Sequence, residues 1–330
     1  PVVTMWRVRS PGEQAVAKAS KAMVSRFSTL CFIIAKLLNL PQIMKLFTDV
    51  SCEKLSTIAH ADPVCVIGSC FADEMGARLS DAGFDVLRNP FGTLYNPASI
   101  AAAVERLDSG APFSPDDCVE MGAGAGRVGS FSHHTSFSRP TAEEFLAHAN
   151  ARLTEDAARW RACTHVILTL GTARVWRALQ RPGQPVVANC LKRPAQEFSH
   201  ELLGAGACAA LLRGIVDAHP DKHFLLTVSP IRHLGEGAHA NTVSKATLHL
   251  AVQALLEEGR PRVAYFPAYE IVLDELRDYR FYAEDLVHPA PAAVRIVWER
   301  FLDACTDPAD RPAILAAEKA ARAARHRPLR

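Results

Sequence analysis

The chain reads as an α/β protein built around a parallel sheet. Three observations predict this class. Short, largely apolar runs (residues 64–67, 164–170 and 223–228) alternate with helical patterns, and near-continuous apolar character marks strands covered on both faces. The runs end in polar or glycine-bearing clusters, Gly68 to Cys70, Gly171–Thr172 and Ser229 to His233, as strands do where an open sheet carries its site. With 330 residues, 49% of them hydrophobic, the chain is long enough to bury a sizeable core.

The first strand, 64–67, stops at Gly68 and leads into Ser69 and Cys70. Phe71, Met75 and Leu79 then recur at helical spacing until Gly83. Residues 84–87 predict a second strand, followed by the turn-rich loop NPFGTLYNP at 89–97. There Asn96 is an N-cap and Pro97 a first helical residue, for a helix to about residue 107. The glycines of 109–130 neither follow a strand nor open a helix, so they carry no nucleotide reading.

Thr141 and Glu144 have capping-box spacing for a helix to about 162, and strand 164–170 follows. Residues 186–194 predict a polar loop. A helix over 205–218, a strand over 223–228, a helix capped by Asn241 and reaching Glu258, and a strand over 263–266 come next. Helices over 269 to about 278 and 292 to about 304 complete the pattern.

Three segments are expected. Residues 1–60 form a basic N-terminal extension, poorly ordered or partly helical; 61–305 form the catalytic domain; 306–330 form a basic helical tail. Within the extension, Met23 precedes a short basic region and the apolar LCFIIA, which is faintly like a signal peptide but lacks a small-residue cleavage site; a mistaken upstream start is the alternative.

A formal net charge of +2 gives no reason for a nucleic-acid partner. The longest apolar run, 30–40, is interrupted by Lys36 and falls short of the roughly 20 residues of a membrane span. Nine scattered cysteines, an odd number, suit reduced thiols in the cytoplasm, and without a CxxC pair a structural zinc site has no support.

The chemistry centres on two places. Ser69 and Cys70 stand where a strand turns into a helix, beside backbone N–H groups that favour an anion and lower a thiol pKa. Asp285 and His288, at i and i+3, can pair a carboxylate with an imidazole, fix its tautomer and leave the other nitrogen as a base. Together they make a nucleophile, Asp, His arrangement in chain order. Among secondary candidates, His133 and His134 sit in a loop rich in aromatics and hydroxyls; as neighbours on a strand they would face opposite ways, one inward and one solvated. Metal binding through His133, His134 and His239 is a weaker reading. Arg174, Lys192, Arg232 and His233 either bind an acid or acceptor at the strand ends, or pair with Glu236, Glu284 or Asp285.

The chain resembles the GSCFA family, named for residues 68–72, over roughly residues 61–300. The resemblance rests on GSCFA itself, NPFGTLYNPASI, FSHHTSFS, LTLGTARVW, VVANCLKRP, TVSPIRH, GAHANTVSKA, YFPAYEI and YRFYAEDLVHP. That family is grouped with the SGNH, or GDSL-like, hydrolases, which implies an SGNH-like three-layer α/β/α sandwich whose parallel sheet has the flavodoxin-like order 2-1-3-4-5. It also implies an esterase or O-acyltransferase acting on an acyl ester of a carbohydrate or other polar acceptor. The alternative is a catalytically inactive ligand-binding module.

In the superfamily register Cys70 falls on the nucleophile position and Ser69 on the preceding one, with Asp285 and His288 as the last block. Either Cys70 attacks, or Cys70 packs and Ser69 attacks. Gly92 loosely matches the oxyanion glycine, while the Gly-x-Asn block meets Gly171, Thr172 and Ala173, so its Asn is missing. Loss of one such donor costs about 10² to 10³ in turnover. Asn89, Asn189 or another donor replaces it, or the chemistry differs, or the site is inactive. No metal or organic cofactor is implied, although an acyl donor such as acyl-CoA fits.

Overall fold

The structure, a computed structural model, describes residues 48–55 and 57–325. The expected extension therefore lies outside the described residues over 1–47, as does the end of the tail over 326–330.

Five strands form a parallel sheet: β1 (Val64–Gly68), β2 (Val86–Arg88), β5 (His165–Leu170), β9 (His223–Val228) and β10 (Val263–Tyr265), in the order β10-β9-β5-β1-β2. Counting only these strands, the order is the expected 2-1-3-4-5. Alternate residues point to opposite faces. Cys65, Ile67, Val166, Leu168, Phe224 and Leu226 pack on α2 (Pro97–Ser109), α3 (Ala142–Ala162), α4 (Ala205–Ala218) and α5 (Ala238–Glu257). Val64, Val66, Ile167 and Leu225 pack on α1 (Cys70–Asp81), on α6 (Ala268–Glu270) with its continuation, and on α7 (Pro291–Cys305). Covering both faces with helices is what the near-continuous apolar runs require.

The chain departs from expectation in five places. β2 begins at Val86 because the Phe84 N–H still bonds back to the Leu79 carbonyl and closes α1. α5 starts at Ala238, with Gly237 as N-cap at φ 90°, so Asn241 lies inside the helix and its side chain is free for other work. The helix expected over 269–278 widens after α6 into a π-helical stretch, Ile271–Leu276, closed by an Arg277 N–H to Val272 carbonyl bond. Finally, the region after β5 is not only loop. β6 (Arg174–Ala178), β7 (Val186–Val187) and β8 (Phe198–Leu202) form a second, antiparallel sheet in the order β7-β6-β8. A hairpin of β3 (Val119–Glu120) and β4 (Val128–Gly129) lies within the expected loop 109–130.

Both edges of the expected catalytic segment pack onto it. Ile58 is buried and bridges to Thr306, and the Leu55 N–H bonds to the Ala304 carbonyl. The tail helix α8 (Arg311–Arg325) buries Ile314, and its Glu318 accepts from Trp298 Nε1 at 2.7 Å. The eight cysteines among the described residues are unpaired thiols, and no described helix is long and apolar enough to cross a membrane.

Candidate active site

The β1–α1 junction is shaped by Gly68. A Cβ there would lie 2.1 Å from the Thr169 carbonyl oxygen, and its φ of 151° disfavours other residues, so only glycine lets β1 end against β5. The next two residues divide the work. Ser69 is 1% exposed, and its hydroxyl caps α1 by accepting from the Phe71 N–H at 3.3 Å. Cys70, the first helical residue, turns its side chain into a cleft of about 740 Å³. Its sulfur lies 3.4 Å from the Tyr95 hydroxyl. Burial, with Cys70 as hydrogen-bond partner, pushes the Tyr95 phenol up to about 12, so it stays protonated. Among the described residues nothing accepts the Cys70 N–H.

The turn before α7 brings His288 to the same cleft. Asp285 Oδ1 accepts the N–H groups of Val287 at 2.9 Å and His288 at 3.0 Å, and Oδ2 takes His288 Nδ1 at 2.6 Å. Leu286, at φ 56°, makes the bend between them. The His288 hydrogen bonds hold the Asp285 carboxyl down at about 2, so it is ionised across the physiological range. His288 Nδ1 thus donates to a carboxylate, and Nε2 is left to accept a proton.

Beneath the cleft, α5 carries Asn241, Ser244 and Lys245, at i, i+3 and i+4, on one face. Asn241 Oδ1 accepts the His233 N–H at 2.8 Å. Ser244 Oγ accepts the Ala173 N–H and pairs with the Thr172 hydroxyl, both at 2.8 Å. Lys245, 1% exposed, donates to the carbonyls of Gly171 at 2.6 Å and Ser229 at 2.7 Å, tying the ends of β5 and β9 together. Burial pulls its ammonium down to about 7. His233 is pulled down to about 4 by burial and then by the neighbouring Lys245 and His288 charges, so it is a neutral imidazole. Its Nε2 is buried without a partner among the described residues. Gly171 keeps the floor open: a Cβ there would lie 3.2 Å from His233 Nε2 and 3.3 Å from Ser69 Cβ.

The second sheet supplies the far wall. Trp176 stacks on His200 with ring centroids 4.0 Å apart. Arg174 binds Glu236 at 2.7 Å, and His200 Nδ1 pairs with the same carboxylate.

Of the candidate site residues, Cys70, Arg174, Arg232, His233 and His288 therefore line one cleft, with Gly171 in its floor, and Arg174 is there paired with Glu236, one of the partners the sequence offered. The others are employed elsewhere. Asn89 Oδ1 accepts the Gly68 N–H and its amide donates to Asp73, so it ties its loop to the end of β1 and to α1, while Asn189 Oδ1 accepts the Leu191 N–H of its own loop. Gly92 sits at φ 78° beneath the His134 side chain, and His134 caps a short turn through Ser136. His133 is sealed among Phe91, Phe113, Phe137 and Phe145, bonded to the Ser130 hydroxyl at 2.7 Å. Among the described residues no three His, Cys, Asp or Glu side chains gather as a metal site would need, so the His133, His134 and His239 reading has no geometry behind it.

Sequence reasoning missed Tyr95, Ser244 and Lys245. The signal for the last two was present: Asn241, Ser244 and Lys245 continue the apolar stripe of Leu248, Val252 and Leu255, so they had to face inward.

A family model, the GSCFA family, matches residues 63–301. The chain belongs to the GSCFA family. The match runs from the residue before β1 into α7 and so contains every residue lining the cleft. No curated protein matches this GSCFA chain in sequence. Among solved structures, one from Streptococcus pneumonia, provisionally described as a platelet activating factor, aligns over 88% of this chain and 98% of its own, at 10% identity and a TM-score of 0.37. A likeness that loose carries no argument about activity.

Proposed function

We propose that this GSCFA protein is an esterase or O-acyltransferase that works through an acyl-cysteine intermediate on a small-molecule or glycan ester. The observation that carries the reading is a nucleophile-capable thiol at a helix N-terminus, Cys70, sharing a cleft with the carboxylate-oriented imidazole of His288.

Cys70 Sγ attacks the ester carbonyl while His288 Nε2 takes the thiol proton. The tetrahedral oxyanion collapses, the C–O bond breaks, and the alcohol leaves with the proton from His288. Water or an acceptor hydroxyl, deprotonated by His288, then attacks the thioester; the acyl group departs and the proton returns to the Cys70 sulfur. Asp285 orients His288 and stabilises its cationic form. The unengaged Cys70 N–H is the first oxyanion donor, and the unpartnered His233 Nε2 is the candidate for the second, where the SGNH pattern has an Asn. Ser69, buried and engaged as a cap, is the less suitable nucleophile. A nucleophilic thiol among seven further unpaired ones suits a reducing compartment, the cytoplasm.

One observation favours the ligand-binding alternative. Neither Asn89 nor Asn189 substitutes for the missing oxyanion Asn, because both amides have structural partners or lie off the cleft. Turnover of p-nitrophenyl acetate separates the readings. Activity that disappears in Cys70→Ala and His288→Ala but survives in Ser69→Ala supports the enzyme, and a wild type without turnover supports the binding module.

A further inference from the structure

The charges around the cleft do not balance. Glu236 is the one carboxylate on its described wall, and it is already shared by Arg174 and His200. Asp285, close by, spends both oxygens on its own turn. Arg232 also lines the cleft, yet among the described residues its guanidinium has neither an ion pair nor a hydrogen bond. Its position is nonetheless well determined: its backbone N–H bonds to the Val287 carbonyl at 3.3 Å, which ties it to the His288 turn, and its charge is felt by the Tyr269 and Tyr282 phenols. Under the floor lies Lys245, fully enclosed, whose two partners are neutral carbonyls. A cleft with one committed carboxylate and one free guanidinium presents positive potential to whatever enters it.

We infer that the ligand of this cleft is anionic, an acyl ester bearing a carboxylate or phosphate group, and that Arg232 is the residue that holds the anion. A planar guanidinium with no internal partner matches either group through two parallel hydrogen bonds. An apolar wall with Trp176, Val187, Ile231 and Leu234 is left for the uncharged part. The inference deepens the acyl-ester reading by naming its substrate class, but its test reads binding alone and needs no turnover.

The test is calorimetric titration of the full chain with two matched pairs: monomethyl succinate against dimethyl succinate, and glycerol 3-phosphate against glycerol. Each is repeated with Arg232→Gln and Arg232→Lys. The expected result is that at least one anionic member binds at least tenfold more tightly than its neutral counterpart. Arg232→Gln removes that preference, and Arg232→Lys, which keeps the charge but loses the fork, retains part of it. The pair that shows the preference tells carboxylate from phosphate. Equal binding within both pairs, no binding by any of the four, or a preference that survives Arg232→Gln overturns the inference. Turnover of p-nitrophenyl acetate with no anion preference would remove this inference and leave the acyl-enzyme reading standing; anion binding without turnover would do the reverse.

Discussion

The Tyr95 hydroxyl lies 3.4 Å from the Cys70 sulfur and also receives the Thr93 hydroxyl at 3.4 Å. A phenol that stays protonated to high pH can donate to a thiolate when the thiol loses its proton. Tyr95→Phe keeps the ring, which packs edge-on against His233 at 5.5 Å, and removes only that donor. It is expected to slow alkylation of Cys70 by iodoacetamide at pH 7 by roughly 3- to 10-fold, in line with the net worth of a typical hydrogen bond. An unchanged rate would mean that the phenol only packs there.

Asp285→Asn separates charge from shape. The Asn carbonyl can still accept the Val287 and His288 N–H groups that shape the turn, but its amide nitrogen cannot accept from His288 Nδ1. The imidazole then favours the wrong tautomer. Turnover of p-nitrophenyl acetate is expected to drop roughly 10²- to 10⁴-fold with the melting temperature nearly unchanged. Full activity in this variant would remove Asp285 from the mechanism.

How much of this was legible beforehand follows from where each signal lies in the chain. The parallel sheet was readable because β1, β5 and β9 are apolar on both faces and their spacing admits helices between them, and its order came with the family resemblance. Asp285 and His288 were readable because their pairing is local. The partners of Cys70 were not: Tyr95 reaches it from the loop after β2, and Lys245 reaches Gly171 from a helix some 74 positions away. The structural partners of Asn89 and Asn189 were hidden for a related reason. Asn189 Oδ1 is taken by the Leu191 N–H of its own loop, and Asn89 Oδ1 by the Gly68 N–H at the end of β1, a partner that no local spacing reveals. The second sheet escaped notice because β7 has two residues, and Trp176 and His200 face the cleft rather than a core.

Lys245 makes stability depend on pH in a defined direction. Its folded pKa of about 7 lies below the ordinary value of 10.5, so between these values the unfolded chain binds more protons than the folded one. Stability therefore rises with pH across that window, and the cost of burying the charge is present in full below it. Urea unfolding of wild type and Lys245→Met at several pH values should give a difference flat below about pH 7. Above it the difference should shift in favour of wild type by up to about 1.4 kcal/mol per pH unit. A difference independent of pH would remove the assignment.

His133 acts in the acid range. Burial holds it down at about 3, against an ordinary value of 6.5, so it folds as a neutral imidazole. Between those values the unfolded state again takes up the proton, and stability is lost as pH falls from about 6.5 toward 3. His133→Phe, placed among four phenylalanines and off the cleft, is expected to flatten that limb by up to about 1.4 kcal/mol per pH unit while leaving turnover essentially unchanged. Thermal melts at pH 4 and pH 7 read the first effect. Loss of turnover at constant stability would instead place His133 in the site.

The central claim is that Cys70 becomes acylated with His288 as its base. Intact-mass spectrometry of the protein mixed with p-nitrophenyl acetate and quenched in acid, followed by peptide mapping, tests it most directly. The account predicts one acetyl group per chain, on Cys70, present in Ser69→Ala and absent from Cys70→Ala and His288→Ala. An acetyl group on Ser69, or none on the wild-type protein at any time point, would contradict it.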